Sequence, residues 1–227
     1  MIELNKIYNE DCLETMKRME DDSVDMVLTD PPYGINYQSN MRTVSEKFNH
    51  IQNDDSDFRF KAYKEIYRTL NNNSVAVIFC SFKNYADDWS FLIKKFDIKN
   101  VIIWNKGGGG IGDLEHSLLT DYEMAMICHK GKRKINGKRI GSVWYMPKVN
   151  PNIMIHPTEK PAPLFQKLIQ YYSNYRDVIY DAFIGGGTTA IAAIKEKRNW
   201  IGSEISKEYC DIAQKRINIE LSQMKLF

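Results

Sequence analysis

Long hydrophobic runs are missing from this 227-residue sequence, and none approaches the roughly 20 apolar residues of a membrane-spanning helix. The first residues also lack the pattern of a signal peptide. The four cysteines are far apart and form no C-x-x-C pair. Disulfide frameworks and zinc sites are therefore disfavoured, no metal ligands are predicted, and we expect a cytoplasmic protein with no membrane attachment.

A large charge of either sign is also absent, because the net charge is only +2. The distribution of charge is nevertheless uneven. Residues 1–30 hold nine acids and three bases, whereas residues 129–148 hold seven Lys or Arg and no acid. The basic stretch contains Trp144, Tyr145 and Met146 among its cations. Such a mixture is typical of a surface that binds nucleic acid, but also of a solvated loop.

The sequence does contain a regular alternation of strand and helix patterns. Strands are predicted at 5–9, 24–29, 74–81, 99–105, 121–128, 177–182 and 199–204, and helices at 10–19, 57–70, 83–96, 161–173, 188–197 and 206–223. This order predicts an α/β fold, in which a seven-stranded, mostly parallel sheet carries helices on both faces. We expect one domain over residues 1–227, interrupted by polar or flexible stretches at 34–56 and 106–120 and by a small basic insert at 129–155.

The segment Asp30-Pro31-Pro32-Tyr33 directly follows the predicted strand at 24–29. Ligands of open α/β sheets bind at the carboxyl ends of the strands. Here the chain offers a carboxylate acceptor, two prolines that fix the backbone, and an aromatic ring that can stack. The combination suits a planar base that bears an amino group.

A second candidate site is the glycine-rich turn after the strand predicted at 177–182. Gly185, Gly186 and Gly187 allow a tight turn with positive φ, and Thr188 or Thr189 is expected to cap the next helix. Acids follow at the ends of this strand and of the next one, at Asp181 and Glu204, which is the geometry that binds a ribose. The spacing matches neither a dinucleotide fingerprint nor a P-loop, so a close helix–sheet crossing without a ligand is the alternative.

Together with His156-Pro157-Thr158-Glu159-Lys160-Pro161, these motifs resemble the β-class of DNA amino-methyltransferases that use S-adenosylmethionine. In that class a circularly permuted order places the catalytic motif before the cofactor turn, as in this chain. The resemblance covers nearly the whole sequence outside 129–155. It implies a Rossmann-like methyltransferase fold, S-adenosylmethionine as cofactor and DNA as partner. The family commonly has serine at the position of Gly186, a change that we expect to be tolerated.

The resemblance also implies a role for each residue of the catalytic motif. Asp30 and the carbonyl of Pro31 would accept the two N–H groups of a flipped adenine, and Pro32 would stiffen the segment. Tyr33 would stack on the base. Trp104 would line the target pocket or, equally, belong to the core.

For the cofactor, the resemblance assigns the glycine turn to the methionine portion, Glu204 to the ribose, and Thr158 and Lys160 to the carboxylate. The full set of expected cofactor contacts is Asp11, Asp30, Thr158, Lys160, Asp181, Phe183, Gly185, Gly187, Thr188 and Glu204. Asp11 would lie near the cofactor adenine, although it is equally suited to cap a helix. DNA contacts are expected from the basic insert, at Lys130, Lys132, Arg133, Lys134, Lys138 and Arg139.

Several alternatives stay open at this point. Cytosine-N4 methylation uses the same chemistry on the same fold, and Asp30 favours adenine because family members with serine there lean toward cytosine. Cytosine-C5 methylation is disfavoured, since no Pro-Cys dipeptide occurs. Methylation of RNA or of a protein glutamine, and a catalytically silent nucleic-acid-binding module, are further alternatives. A homodimer and a cognate restriction endonuclease are possible partners.

Overall fold

A computed structural model of the chain describes residues 2–32, 56–108, 115–149 and 159–224. The predictions for Tyr33, His156 and Thr158, and most of those for the loop at 34–56, lie outside these residues. None of the helices in the described ranges is long and apolar enough to cross a membrane.

Strands and helices alternate along the described part of the chain. The strands are β1 (Lys6–Tyr8), β2 (Val24–Thr29), β3 (Leu70–Cys80), β4 (Asp97–Asn105), β5 (Tyr122–Lys130), β6 (Val143–Tyr145), β7 (Val178–Asp181) and β8 (Asn199–Ser203). The helices are α1 (Cys12–Lys17), α2 (Ser56–Thr69), α3 (Tyr85–Leu92), α4 (Ala162–Tyr172), α5 (Thr188–Lys195) and α6 (Lys207–Met224).

The strands form one sheet in the order β1-β8-β7-β2-β3-β5-β4-β6. All neighbours pair in parallel except β5, which runs antiparallel to both β3 and β4. From β2 the chain crosses to β3 on one side, whereas from β7 it crosses to β8 on the other. The order therefore reverses between β2 and β7, and the crevice at their carboxyl ends is the place where such sheets bind ligands.

Helices cover both faces of the sheet, as the alternation predicts. One face packs against the first three helices through Met16, Ile66 and Leu92. The other packs against the last three helices, with Leu168 and Ile217 among its buried residues. Successive residues of β3 point alternately into the two cores, which confirms the prediction of a strand buried on both sides.

The predicted count of seven strands is wrong, because the sheet has eight. The added strand β6 lies inside the predicted insert and pairs in parallel with β4, Trp144 opposite Trp104. Trp144 is buried against the core on the side of α4, and its ring nitrogen donates to the carbonyl of Gly141 at 2.7 Å. Three residues are too few to give a periodic pattern, so β6 forms only because β4 offers an edge.

Candidate active site

The carboxyl ends of β2 and β7 are joined by the buried carboxylate of Asp181. One of its oxygens accepts from the Thr29 hydroxyl at 2.9 Å and from the Phe183 amide at 3.0 Å, and the other accepts from the Thr189 hydroxyl. Burial raises the pKa of Asp181 to about 6, although these three donors oppose the shift. The contacts indicate that Asp181 shapes the glycine turn, a role that differs from the direct cofactor contact predicted for it.

The glycine turn leads from β7 into α5 and is held in place by Glu204. Gly187 has φ of 84° and occupies the N-cap position of α5. The predicted threonine cap is therefore wrong, since a left-handed backbone suits glycine and Thr189 bonds to Asp181 instead. The Glu204 carboxylate accepts from the Gly185 amide at 3.0 Å and from the Ser206 amide at 2.8 Å, while burial raises its pKa.

Gly202 of β8 makes room for this turn. A Cβ at that position would lie 2.3 Å from Cδ1 and 3.0 Å from Cβ of Ile184, which precedes the three glycines. We therefore expect Gly202→Ala to displace the turn, to lower the free energy of unfolding by about 1–3 kcal/mol and to weaken cofactor binding. Urea unfolding and calorimetric titration would measure both effects.

Gly141→Ala is the matched control, because nothing lies within 4 Å of a Cβ at Gly141. Equal stability and cofactor affinity in the two variants would contradict the close packing at Gly202.

Lys160 links the catalytic segment to a second acid that the sequence patterns do not indicate. Its side chain is only 4% exposed, its ammonium group donates to Oδ2 of Asp30, and it lies 3.0 Å from Oε2 of Glu123. Burial alone would lower the pKa of Lys160, but the two carboxylates raise it above its usual range. Burial likewise opposes ionisation of Glu123, and the charges of Lys160 and Lys106 outweigh it and lower the pKa of Glu123.

The neighbouring residue Glu159 connects the same segment to the cofactor turn. Its carboxylate pairs with Arg216 of α6 at 2.6 Å, and Arg216 also donates to the backbone carbonyl of Gly186. Glu159 and Lys160 thus tie the start of α4 to the glycine turn and to Asp30. Neither Arg216 nor Glu123 belongs to a recognisable motif, and only the folded chain brings them to the site.

Comparison with known proteins agrees with this geometry. A family model described as DNA methylase matches residues 24–215. The chain belongs to the DNA methylase family. The type II methyltransferase M.HinfI of Haemophilus influenzae is 29% identical, over 94% of this chain and 68% of that protein. The DNA adenine methyltransferase YhdJ of Escherichia coli (strain K12) is 26% identical, over 96% of this chain and 84% of that protein.

Among solved structures, the complex of M1.HpyAVI with S-adenosylmethionine is similar to this DNA methylase. The identity is 28%, the TM-score is 0.73, and the match covers 94% of this chain and 98% of the other. The mostly parallel α/β methyltransferase fold expected from the sequence is therefore confirmed, apart from the number of strands, while the circular permutation stays a prediction.

Two of the remaining site predictions concern residues whose contacts within this methylase are now defined. Asp11 caps α1, since its carboxylate accepts from the Leu13 amide at 2.8 Å. Trp104 is 2% exposed and belongs to the core, and its ring nitrogen donates to the Met146 carbonyl at 2.7 Å. The helix-capping and core interpretations of these two residues are thus confirmed, while a cofactor contact of Asp11 stays a prediction.

Lys130, the first of the cations predicted to bind DNA, lies at the end of β5 away from Asp30. Glu123 and His129 are six residues apart on β5, so Lys130 lies roughly 20 Å from the end of this strand that carries Glu123. Lys130 is 10% exposed and bonds to Asp22 at 2.6 Å and to the carbonyl of Leu70 at 2.7 Å. These contacts weigh against the DNA role predicted for Lys130, while the DNA role of the other cations stays a prediction.

Proposed function

We propose that this methylase transfers a methyl group from S-adenosylmethionine to the exocyclic N6 amine of an adenine in DNA. The observation that carries the proposal is the adjacency of Asp30, at the end of β2, and the glycine turn, at the end of β7. A target amine held by the first and a methyl donor held by the second would meet in the crevice between the two strands.

The residues around the turn have the chemistry to hold the cofactor. S-adenosylmethionine, when bound, supplies an electrophilic methyl group on a sulfonium sulfur. Glu204 is a half-buried carboxylate whose two oxygens each accept one backbone N–H, and a carboxylate can accept further bonds from ribose hydroxyls. The start of α5 at the glycine turn presents backbone N–H groups that suit the methionine carboxylate. We propose Phe183, Gly185, Gly187 and Thr188 as the other contacts on this turn.

Asp30 would orient the adenine amine. Its carboxylate is bound by the buried ammonium group of Lys160, which stabilises the negative charge. A carboxylate accepts several hydrogen bonds, so Asp30 can hold Lys160 and an amine N–H together. The Pro31 carbonyl would accept the second N–H, and Tyr33 would stack on the flipped base. Lys160 would thus act on the target side, although contact with the cofactor carboxylate was predicted for it.

Adenine is favoured over cytosine by Asp30, the first residue of the motif, and by the name of the relative YhdJ. The test is expression in a host without DNA methylation, followed by mass spectrometry of the nucleosides. We expect N6-methyladenine in a defined sequence context. N4-methylcytosine in its place would overturn the choice of base, and unmodified DNA would overturn the catalytic function itself.

The finer properties of the protein follow from this function. We propose one catalytic domain over residues 1–227 and, since a similar protein is named a type II methyltransferase, a cognate restriction endonuclease as partner. The four free, buried cysteines support a cytoplasmic location. A homodimer stays a prediction.

A further inference from the structure

A cavity of about 450 Å³ lies beside β4, β5 and β6. It is bounded by the start of β4, the end of β5, α4, and the stretch between β5 and β6. Asn136 fastens that stretch to the end of α4, because its side chain donates to the carbonyls of Gln170 and Ser173 at 3.0 and 2.7 Å. The volume falls in the range of small-molecule sites and is large enough for one nucleotide.

Four cations that line the cavity have no carboxylate partner. Lys132, Arg133, Lys134 and Arg139 form no ion pair with any described residue, and no acid lines the walls. Arg133 is half-buried, and the other three are exposed at the mouth of the cavity. The cluster therefore carries an unbalanced positive charge that an anion would neutralise.

Arg133 gives the strongest indication of a ligand. One nitrogen of its guanidinium group is buried and has no hydrogen-bond partner. Asp177 attracts Arg133 electrostatically but forms no ion pair with it within the described residues. Because an unsatisfied buried N–H group costs about 1–3 kcal/mol, a small rotation of the guanidinium toward a bound anion would be favourable. A planar guanidinium forms paired bonds to phosphate, which spherical anions cannot match.

Aromatic rings and isoleucines form much of the rest of the wall. Tyr171, Tyr172 and Trp144 border the cavity on the side of α4, and His129 packs edge-on to Tyr172 at 6.4 Å between ring centroids. Rings beside a cluster of cations are the combination that binds a base together with its phosphate. None of the residues that line the cavity is among those proposed to hold the cofactor or the target base, so this is a separate site.

We propose that this cavity binds the phosphate group of a nucleotide, supplied either by a free mononucleotide or by a DNA backbone. Binding at this cavity does not depend on whether adenine or cytosine is methylated, because none of the cavity residues is proposed to contact the target base.

Calorimetric titration of the full chain at low salt tests the proposal. The probes are AMP, adenosine, inorganic phosphate and a 12-base-pair duplex, all with saturating S-adenosylmethionine to block the cofactor site. Arg139→Ala and Arg133→Ala remove cations of the cavity, and Lys94→Ala removes an exposed cation at the end of α3 on the other face. Thermal unfolding would establish that each variant is folded, and Arg139 is exposed enough for its loss to be tolerated.

If a free nucleotide supplies the phosphate, we expect saturable binding of AMP, which each cavity variant weakens about tenfold while the affinity for the duplex stays unchanged. If a DNA backbone supplies it, we expect the same variants to weaken duplex binding about tenfold and AMP to compete with the duplex. Lys94→Ala should change neither affinity. If the cavity variants and Lys94→Ala bind AMP and duplex equally well, the proposal is overturned.

Discussion

Replacement of Asp30 by alanine is expected to lower the methylation rate by about 10²–10⁴-fold, the range that a positioned proton or hydrogen-bond acceptor contributes in enzymes. The variant loses the acceptor that we propose orients the target amine, while the glycine turn and Glu204 are untouched. Cofactor and DNA binding should therefore survive. Transfer of a labelled methyl group measures the rate, and calorimetry measures both affinities.

Asp87→Ala is the control for this experiment, because Asp87 is an exposed acid on α3. It changes the net charge by the same amount and should leave methylation unaltered. The Asp30 variant should also stay folded, since Lys160 keeps Glu123 as a partner at 3.0 Å. Wild-type rates in the Asp30 variant would eliminate its catalytic role, whereas loss of cofactor binding would indicate a structural role instead.

Lys160→Met is expected to cause the largest loss of stability. Without the ammonium group, Lys106 at 3.4 Å is the one cation left to Glu123 among the described residues, and Asp30 loses a buried partner. Breaking a buried ion pair in this way costs about 3–5 kcal/mol, because a charge is left in a poorly solvated place. Urea unfolding at pH 8 would measure the change in the free energy of unfolding.

The loss should depend on pH with a defined sign. In the wild type the pKa of Glu123 is lowered below its usual value of 4.5, so its ionised form stabilises the fold above that pH and the effect is lost on acidification. In the variant, burial opposed only by Lys106 should raise this pKa. The destabilisation is then complete at pH 8 and shrinks on acidification as Glu123 takes up a proton.

Lys195→Met provides the comparison, since Lys195 forms a partly exposed ion pair with Glu220 at 3.2 Å. Such a pair contributes about 0–1 kcal/mol, so this variant should unfold almost as the wild type does. If the Lys160 variant loses the same free energy of unfolding at pH 5 and at pH 8, lost packing rather than charge explains the effect.

Much of the fold was predictable because most of its strands lie in the buried middle of the sheet. The run at 75–80 is apolar throughout and that at 24–29 is mostly apolar, and each is followed by a helix pattern, which fixes the class and the approximate boundaries. Strand β6 escaped prediction because its three residues depend on β4 for an edge. The position of the basic stretch escaped too, since composition gives the sign of a charge cluster but not the end of the sheet where it lies.

The residues of the site were likewise predictable only in part. Asp30 and Glu204 were found because each ends a strand, and the ends of neighbouring parallel strands converge. The bond between Lys160 and Asp30 joins residues 130 positions apart, and that between Arg216 and Glu159 joins residues 57 apart. Such pairs follow from the strand order, which the sequence patterns alone do not specify. Motifs therefore located the crevice, whereas the charges around it required the folded chain.

The hydrogen bond between Thr29 and Asp181 spans 152 residues of sequence, which affects how the chain folds during translation. At a translation rate of about 5–20 residues per second, β7 is synthesised roughly 8 to 30 s after β2. Throughout that interval the central strand has an unpaired edge, which is a hazard for association with other nascent chains. Asp30, directly after β2, is thus among the first residues of the site to be translated, but the crevice beside it is complete only after β7 has been made.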